Sequence, residues 1–256
     1  PRDNKDIKKL FKARPGYKII QCDLGTAEVY YAAVLANDKF LMQAFIDKLD
    51  FHSYVAKQMF NLDCEVSEVK DKHPAQRQYA KAITFGIMYQ AGPAKIAETV
   101  NKDAKLGEEI TVGQAKQFIT KYFGEAKNLK RFIDGSNDQI ENHAFIYAFF
   151  GRKRRLPEAK SANKGVSKHA VRSGVNFLVQ SVASDINILG VIDLITWIED
   201  NNYQDVILPF TVVHDSIVSE VREDLVDEYV KNAKECIQRD RGLSIPNCPI
   251  KVDFEI

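Results

Sequence analysis

The 256-residue chain has few of the features that would tie it to a cross-linked or membrane-bound class. It holds four cysteines, Cys22, Cys64, Cys236 and Cys248, with no CxxC pair and no regular spacing. Neither a disulfide framework nor a zinc site is built that way, so the expectation is four reduced thiols used for packing in an intracellular chain. A continuous run of about 18 apolar residues for a membrane span is missing, as is a charged, apolar, small-residue leader. There are no internal repeats, no low-complexity segment and no obvious linker. No charge of one sign prevails: 36 Lys and Arg stand against 35 Asp and Glu, a net charge of +1, so partners must be read from where the charges lie. What the chain does have is a 45% hydrophobic and 28% charged composition, enough for a substantial core in one or two subdomains. It opens Pro1-Arg2-Asp3-Asn4, without Met, which reads as mid-protein sequence from an expressed fragment or one piece of a split polypeptide.

Periodicity predicts the elements. Residues 17–22 form a short apolar stretch behind the turn signal Pro15-Gly16 and read as a buried strand that delivers Asp23 at its end. From Glu28 to about Lys48 the spacing predicts one or two amphipathic helices, and further helices are expected over 51–60, 74–89, 112–123 and 125–142. Residues 164–197 lack Pro and carry Val171, Val175, Leu178, Val182, Ile186 and Leu189 at helical spacing, a pattern that Gly174 and Gly190 weaken. A hairpin follows, 206–213 and 217–221 around His214-Asp215-Ser216. Asp224 is placed to cap a helix with Leu225, Val226, Tyr229, Val230, Ala233 and Ile237 on its apolar face, and residues 250–254 alternate as a last half-buried strand. Strands at both ends with helices between them predict an α+β fold whose sheet is assembled from distant segments.

Several residues carry chemistry. Asp23 at a strand end and Asp215 in a hairpin turn could meet on one sheet, and paired carboxylates suit two divalent ions about 3.5–4 Å apart that stabilise attacking and leaving oxygens. Taken alone, a turn aspartate is an ordinary turn former. Arg77, Lys81, Phe85 and Tyr89 recur in steps of four, so one slowly drifting helical stripe presents two cations and then two aromatics. Such cations can clamp a triphosphate and Phe85 offers a flat face to sugar or base; the plain alternative is a solvated basic edge beside core aromatics. Arg152-Lys153-Arg154-Arg155 lies in a turn, with Lys160, Lys164, Lys168 and Arg172 beyond it, a pattern suited to phosphate backbone or simply to solvent. Arg172, Asn176 and Gln180 then form a polar line on the long helix, which would otherwise be an exposed face.

In combination these residues resemble the motifs of family A DNA polymerases, the bacterial DNA polymerase I type, in order and across nearly the whole chain. Asp23-Leu24-Gly25-Thr26-Ala27-Glu28 is similar to motif A, Asp-Tyr-Ser-Gln-Ile-Glu. Arg77-x3-Lys81-x3-Phe85-Gly86-x2-Tyr89 is similar to motif B, the O helix. Val213-His214-Asp215 is similar to motif C, and Gly151-Arg152 with Arg172-x3-Asn176-x3-Gln180-x4-Asp185 to the palm segment between them.

The resemblance implies an antiparallel palm sheet with helices, at 1–30 and 171–256. It also implies a mostly helical fingers subdomain at 31–170, in a right-hand architecture without its thumb. It implies template-directed transfer of dNMP to a primer 3′-hydroxyl with release of pyrophosphate. Asp23, Asp215 and the Leu24 carbonyl would hold two Mg²⁺ ions, with Mn²⁺ as a substitute. Arg77 and Lys81 would bind the incoming triphosphate, Lys81 also acting in catalysis. Phe85 and Tyr89 would serve the nucleotide and the templating position, and Glu28 would exclude a ribose 2′-hydroxyl. Arg152, Arg172, Asn176, Gln180 and His214 would touch primer-template DNA.

Expected partners are that DNA, dNTPs and an upstream polypeptide or domain with thumb and exonuclease, in the cytoplasm of a bacterial or phage-infected cell and without a membrane. Three departures stand out: Tyr30 for the usual motif A arginine, Gln90 for the glycine after the motif B tyrosine, and Ser216 for the glutamate after the motif C aspartate. They point to a phage or otherwise divergent member. Two competing readings are a single-subunit RNA polymerase, disfavoured by Glu28 and Phe85, and a non-catalytic DNA-binding piece, disfavoured by intact Asp23, Asp215, Arg77 and Lys81.

Overall fold

The computed structural model describes residues 10–102, 104, 109–213 and 215–256; His214 lies outside them. In chain order the elements begin β1 (Tyr17–Gly25), α1 (Ala27–Ala36), α2 (Lys39–Ile46), α3 (Phe51–Phe60), α4 (Val69–Lys72), α5 (Pro74–Met88), α6 (Pro93–Lys102), α7 (Val112–Glu125) and α8 (Lys127–His143). They continue β2 (Phe145–Tyr147), β3 (Lys153–Arg155), α9 (Lys164–Asp200), β4 (Ile207–Val213), β5 (Ser216–Arg222), α10 (Val226–Gln238) and β6 (Lys251–Glu255). They gather in two compact units: Pro1–Ala27 with Ala183–Ser244 and Pro249–Ile256, and Glu28–Val182 with Ile245–Cys248. The α+β class expected from the sequence holds.

The first unit is built on a four-stranded antiparallel sheet in the order β4-β5-β1-β6. Along β1, Ile20, Cys22 and Leu24 are buried while the odd-numbered residues are more open, the period-2 alternation of a strand with one covered face. On β5 the register sets Ile217 opposite Cys22 and Ser219 opposite Ile20. Ile20 of β1 and Val221 of β5 join Leu194 and Ile198 of α9 and Tyr229, Ala233 and Cys236 of α10 in one core. Burying a Leu or Ile side chain there contributes roughly 1.5–3 kcal/mol. The Tyr229 hydroxyl donates to Ser219 Oγ at 2.7 Å, which satisfies two polar atoms buried in that core. Pro209 sits in β4, an edge strand, where its missing N–H interrupts nothing, beside a register shift between Pro209 and Thr211.

Among its described residues, the regular structure of the second unit is helical apart from the short β2–β3 hairpin. Asp38 caps α2 through Oδ1, which accepts from Leu41 N, while its Oδ2 accepts from the N–H groups of Asn128 and Leu129 at 2.9 Å in the first turn of α8. One carboxylate thereby ends two helices and lies where their N-terminal dipoles favour negative charge. Asp50 caps α3 through Ser53 N at 2.8 Å.

Several expectations change. The helix Pro93–Lys102 and the hairpin Phe145–Tyr147 with Lys153–Arg155 were not foreseen; the strands are three residues each, too short for a periodic signal. Asp224 does not cap: it lies inside the 3-10 turn Glu223–Leu225 and pairs with Arg222, and the helix starts at Val226 without a side-chain cap. Strand β1 runs on to Gly25, so Asp23 is within the ladder and not at its end. One 18-residue window of α9 is long and apolar enough to cross a membrane, with a mean hydropathy of 1.5. Polar residues punctuate that window, so it holds no continuous apolar run, and more than half of it is buried inside the protein, so its apolarity is used in the fold.

The long helix is unbroken through both glycines because each allows a close approach. A Cβ on Gly190 would lie 3.0 Å from Ile237 Cγ1 and 3.2 Å from Ile237 Cα, a backbone atom that moves only with α10. Gly135 on α8 is exposed with no atom within 4 Å of such a Cβ. We expect Gly190→Val to cost about 2 kcal/mol by overpacking and Gly135→Ala to add about 0.5–1 kcal/mol by helix propensity, both read as shifts of the urea midpoint.

Candidate active site

In the first unit the β1–β5 register places Asp23 directly opposite Ser216, so Asp215 in the turn before β5 is the next residue along the neighbouring strand, whose spacing is about 4.8 Å. The pairing sets the two aspartates of the sequence pattern at neighbouring backbone positions. On the other side of β1, Asp23 faces Asp253 of β6. Like charges opposite one another on a sheet are destabilising, and Asp253 is offset by Lys251 Nζ at 2.6 Å from its Oδ1. Burial, and then the negative charges of Asp23 and Asp253, push the Cys22 thiol up to about 12, which leaves it protonated and inert. Ser216 donates to Asp23 Oδ1 at 2.6 Å and accepts from Gln21 Nε2 at 3.1 Å. The Leu24 side chain is buried in the core. Carboxylate and carbonyl oxygens are the donors that hard divalent cations take, although no group of three or more His, Cys, Asp or Glu that could hold a metal occurs among the described residues.

In the second unit, α5 turns Ala80, Ile83, Thr84 and Ile87 inward and leaves Arg77, Lys81 and Phe85 on its more open side. Pro74 opens the helix, where its missing N–H has no cost. Tyr89 is the residue after the last turn, so the stripe of four ends on a helix cap. Arg77 is held in a bidentate pair by Asp50, Nε to Oδ1 and Nη2 to Oδ2, both at 2.8 Å. Burial opposes the charge on Asp50, but hydrogen bonds from Arg77 and Ser53 outweigh it and hold the carboxyl well below the usual carboxylate range. His52 lies beside them, its ring 5.7 Å from that of Phe85. Burial pushes its pKa down to about 4 against the pull of Asp50, and the Arg77 and Lys81 charges lower it further. Its Nδ1 has no hydrogen-bond partner among the described residues.

Glu28, in the first turn of α1, accepts from the Tyr89 hydroxyl at 2.8 Å and lies 3.5 Å from Gln180 Nε2. Residues from three separate motifs thus meet at one carboxylate. Arg172 and Asn176 share the half-open side of α9 with Gln180. The four-cation run divides: Arg154 donates to Ser173 Oγ at 2.7 Å and lies over the Phe177 ring, Lys153 sits 3.8 Å from the Phe145 ring centroid, and Arg152 and Arg155 are exposed.

The description of DNA polymerase family A matches residues 2–256. The chain belongs to this family. It is similar to the DNA polymerase of Escherichia phage T5, 49% identical over 270 residues, covering 100% of this chain and 32% of the phage protein. It is also similar to DNA polymerase I of Pseudomonas aeruginosa, 28% identical over 244 residues, covering 95% of this chain and 25% of that protein. Among solved structures it resembles the POL domain of Pol1 from M. smegmatis in complex with DNA primer-template and dNTP, with a TM-score of 0.83 at 26% identity, covering 95% of this chain and 40% of that one. The chain therefore spans about a third or less of the curated relatives' length.

The three departures from the family A pattern have structural accounts. Tyr30 is buried; its hydroxyl donates to Cys248 O at 2.7 Å and accepts from Ile245 N at 2.9 Å. Gln90 adopts a φ of 50° and accepts from Asn137 Nδ2 at 3.2 Å, so a left-handed position suited to glycine is kept without one. Ser216 is the hydrogen-bond donor to Asp23. Asp50, His52, Asp253 and Gln21 were not singled out by sequence reasoning; a D-x-H beside a helix start was the only signal, and strand partners across the sheet leave none.

Because His52 has an ordinary pKa of 6.5 when unfolded and about 4 when folded, the unfolded state binds the extra proton between those values. Its contribution is fully present above about pH 6.5 and is lost as pH falls toward 4. We expect stability to drop by about 3 kcal/mol over that window from this group, and His52→Leu to flatten the drop, as measured by urea denaturation at pH 7 and pH 4.5.

Proposed function

We propose that this chain is the palm and fingers region of a template-directed DNA polymerase, joining dNMP to a primer 3′-hydroxyl with release of pyrophosphate. The observation that carries the reading is the register that sets Asp23 opposite Ser216, the residue after Asp215, on a chain that DNA polymerase family A matches over residues 2–256. The sheet unit is read as palm and the helical unit as fingers.

Asp23, Asp215 and the Leu24 carbonyl would hold divalent ions, Mg²⁺ or Mn²⁺, and their all-oxygen chemistry fits such ions. Bound there, two ions would supply Lewis-acid stabilisation of the attacking and leaving oxygens. Lys81, exposed on α5, would place a point charge against the triphosphate and stabilise the charge that develops on the departing pyrophosphate. Arg77 would reach the triphosphate by exchanging one bidentate oxyanion, Asp50, for another. Phe85 would pack on the nucleotide, with neutral His52 beside it. Glu28, braced by Tyr89 and Gln180, would fill the space beside C2′ and so exclude a ribose hydroxyl. Arg152, Arg172, Asn176, Gln180 and His214 would contact primer-template through phosphates, sugars and base edges. The remaining length of the relatives is consistent with further segments, such as a thumb and an exonuclease, and the setting would be the cytoplasm of a bacterial or phage-infected cell.

In the complete polymerase, Asp23→Ala or Asp215→Ala should abolish incorporation while primer-template affinity stays within about threefold, since each 1.36 kcal/mol of lost barrier stabilisation is tenfold in rate. A variant keeping more than about a tenth of the rate in single-turnover primer extension would end this assignment. Glu28→Ala should raise rATP use relative to dATP by about tenfold or more, and Tyr89→Phe, which removes only the brace, should give an intermediate gain. Competition between the two nucleotides at one templating thymine measures both.

A further inference from the structure

We infer that Gln21 and Ser216 are positioning residues that fix the Asp23 carboxylate for cation binding. The inference rests on the reading of Asp23 as a metal ligand. A serine hydroxyl has one proton, and its direction here is decided: Gln21 Nε2 donates to Ser216 Oγ at 3.1 Å, and Ser216 Oγ donates to Asp23 Oδ1 at 2.6 Å. The second distance is that of a charge-assisted O–H···O⁻ bond, about twice as strong as a neutral one.

The backbone holds all three groups in place. Gln21 and Asp23 are two residues apart on β1 and share its open face, and Ser216 is directly opposite Asp23 on β5. Ser216 is buried, 5% exposed, so water does not readily replace its hydroxyl. With Oδ1 occupied by the serine, rotation of the carboxylate breaks a strong bond, and Oδ2 keeps a defined direction for a cation. A serine at this position also adds no negative charge, while Asp253 across β6 already opposes a further one. Orientation of Asp23 therefore takes on work that a third carboxylate at position 216 would do through charge.

The test is Mn²⁺ titration, followed by electron paramagnetic resonance, of the polypeptide carrying this chain, with circular dichroism as the control for folding. Asp23→Ala should remove the tightest bound ion. Ser216→Ala should raise the Mn²⁺ Kd by about tenfold, the low end for a residue that orients a ligand. Gln21→Met, which keeps the length but not the N–H, should raise it about threefold, because an undirected hydroxyl still bonds part of the time. Ser216→Thr, which keeps the hydroxyl, should stay within about twofold. If Asp23→Ala removes the ion but Ser216→Ala and Gln21→Met leave Kd unchanged, the positioning role is wrong and the metal site stands. If Asp23→Ala changes nothing, the metal-site reading fails and the positioning role with it. Should Ser216→Ala not fold, Gln21→Met alone decides: a threefold rise supports the relay and an unchanged Kd overturns it.

Discussion

The antiparallel pairing of β1 with β5 is the constraint on which the first unit depends. Side chains alternate on a strand, so a slip of one residue would carry Ile20, Cys22 and Leu24 out of the core and turn Asp23 into it. The same ladder that buries Cys22 against Ile217 therefore sets Asp23 against Ser216, and packing and chemistry are specified by one register. The apolar face makes that register strong, because a slip would forfeit the burial of several side chains at once. Gly25 fits the same scheme, since a Cβ there would crowd the Asp253 carboxylate at 3.0 Å.

In the second unit two aspartates do the corresponding work, each capping one helix while its carboxylate also binds a group on another. Asp38 ends α2 and α8 together and is almost wholly buried, which is tolerable because three backbone N–H groups meet its charge. Asp50 caps α3 and grips Arg77 on α5, so the position of the proposed triphosphate-binding arginine is tied to the start of a different helix. These joints place α5 relative to its neighbours, with burial of Ala80, Ile83 and Ile87 supplying most of the favourable free energy.

The departures from the family pattern show how a local requirement can persist while the residue changes. The backbone after Tyr89 turns through a left-handed conformation, and Gln90 meets that need at a steric cost of about 1–2 kcal/mol while gaining a bond from Asn137. Tyr30 has become a buried clamp on the segment from Ile245 to Cys248. At position 216 a short neutral hydroxyl replaces the longer acid and meets Asp23 directly.

Periodicity and composition determined a good deal. The strand before Asp23, the helices over 51–60, 74–89, 112–123 and 125–142, the long helix and the late hairpin are all legible, because burial of one face writes a period of 2 or 3.6 into the chain. The stripe Arg77, Lys81, Phe85 is legible for the same reason, since residues four apart on a helix share a side. The three-residue strands β2 and β3 are too short to carry a period, and the helix Pro93–Lys102 went unread. Tertiary structure alone decided which distant groups meet: Asp23 with Ser216 and Asp253, Arg77 with Asp50, and Glu28 with Tyr89 and Gln180. Those pairings depend on strand order and helix packing, which join residues as far apart in sequence as Asp23 and Asp253, and a local pattern holds no record of the partner across such a gap.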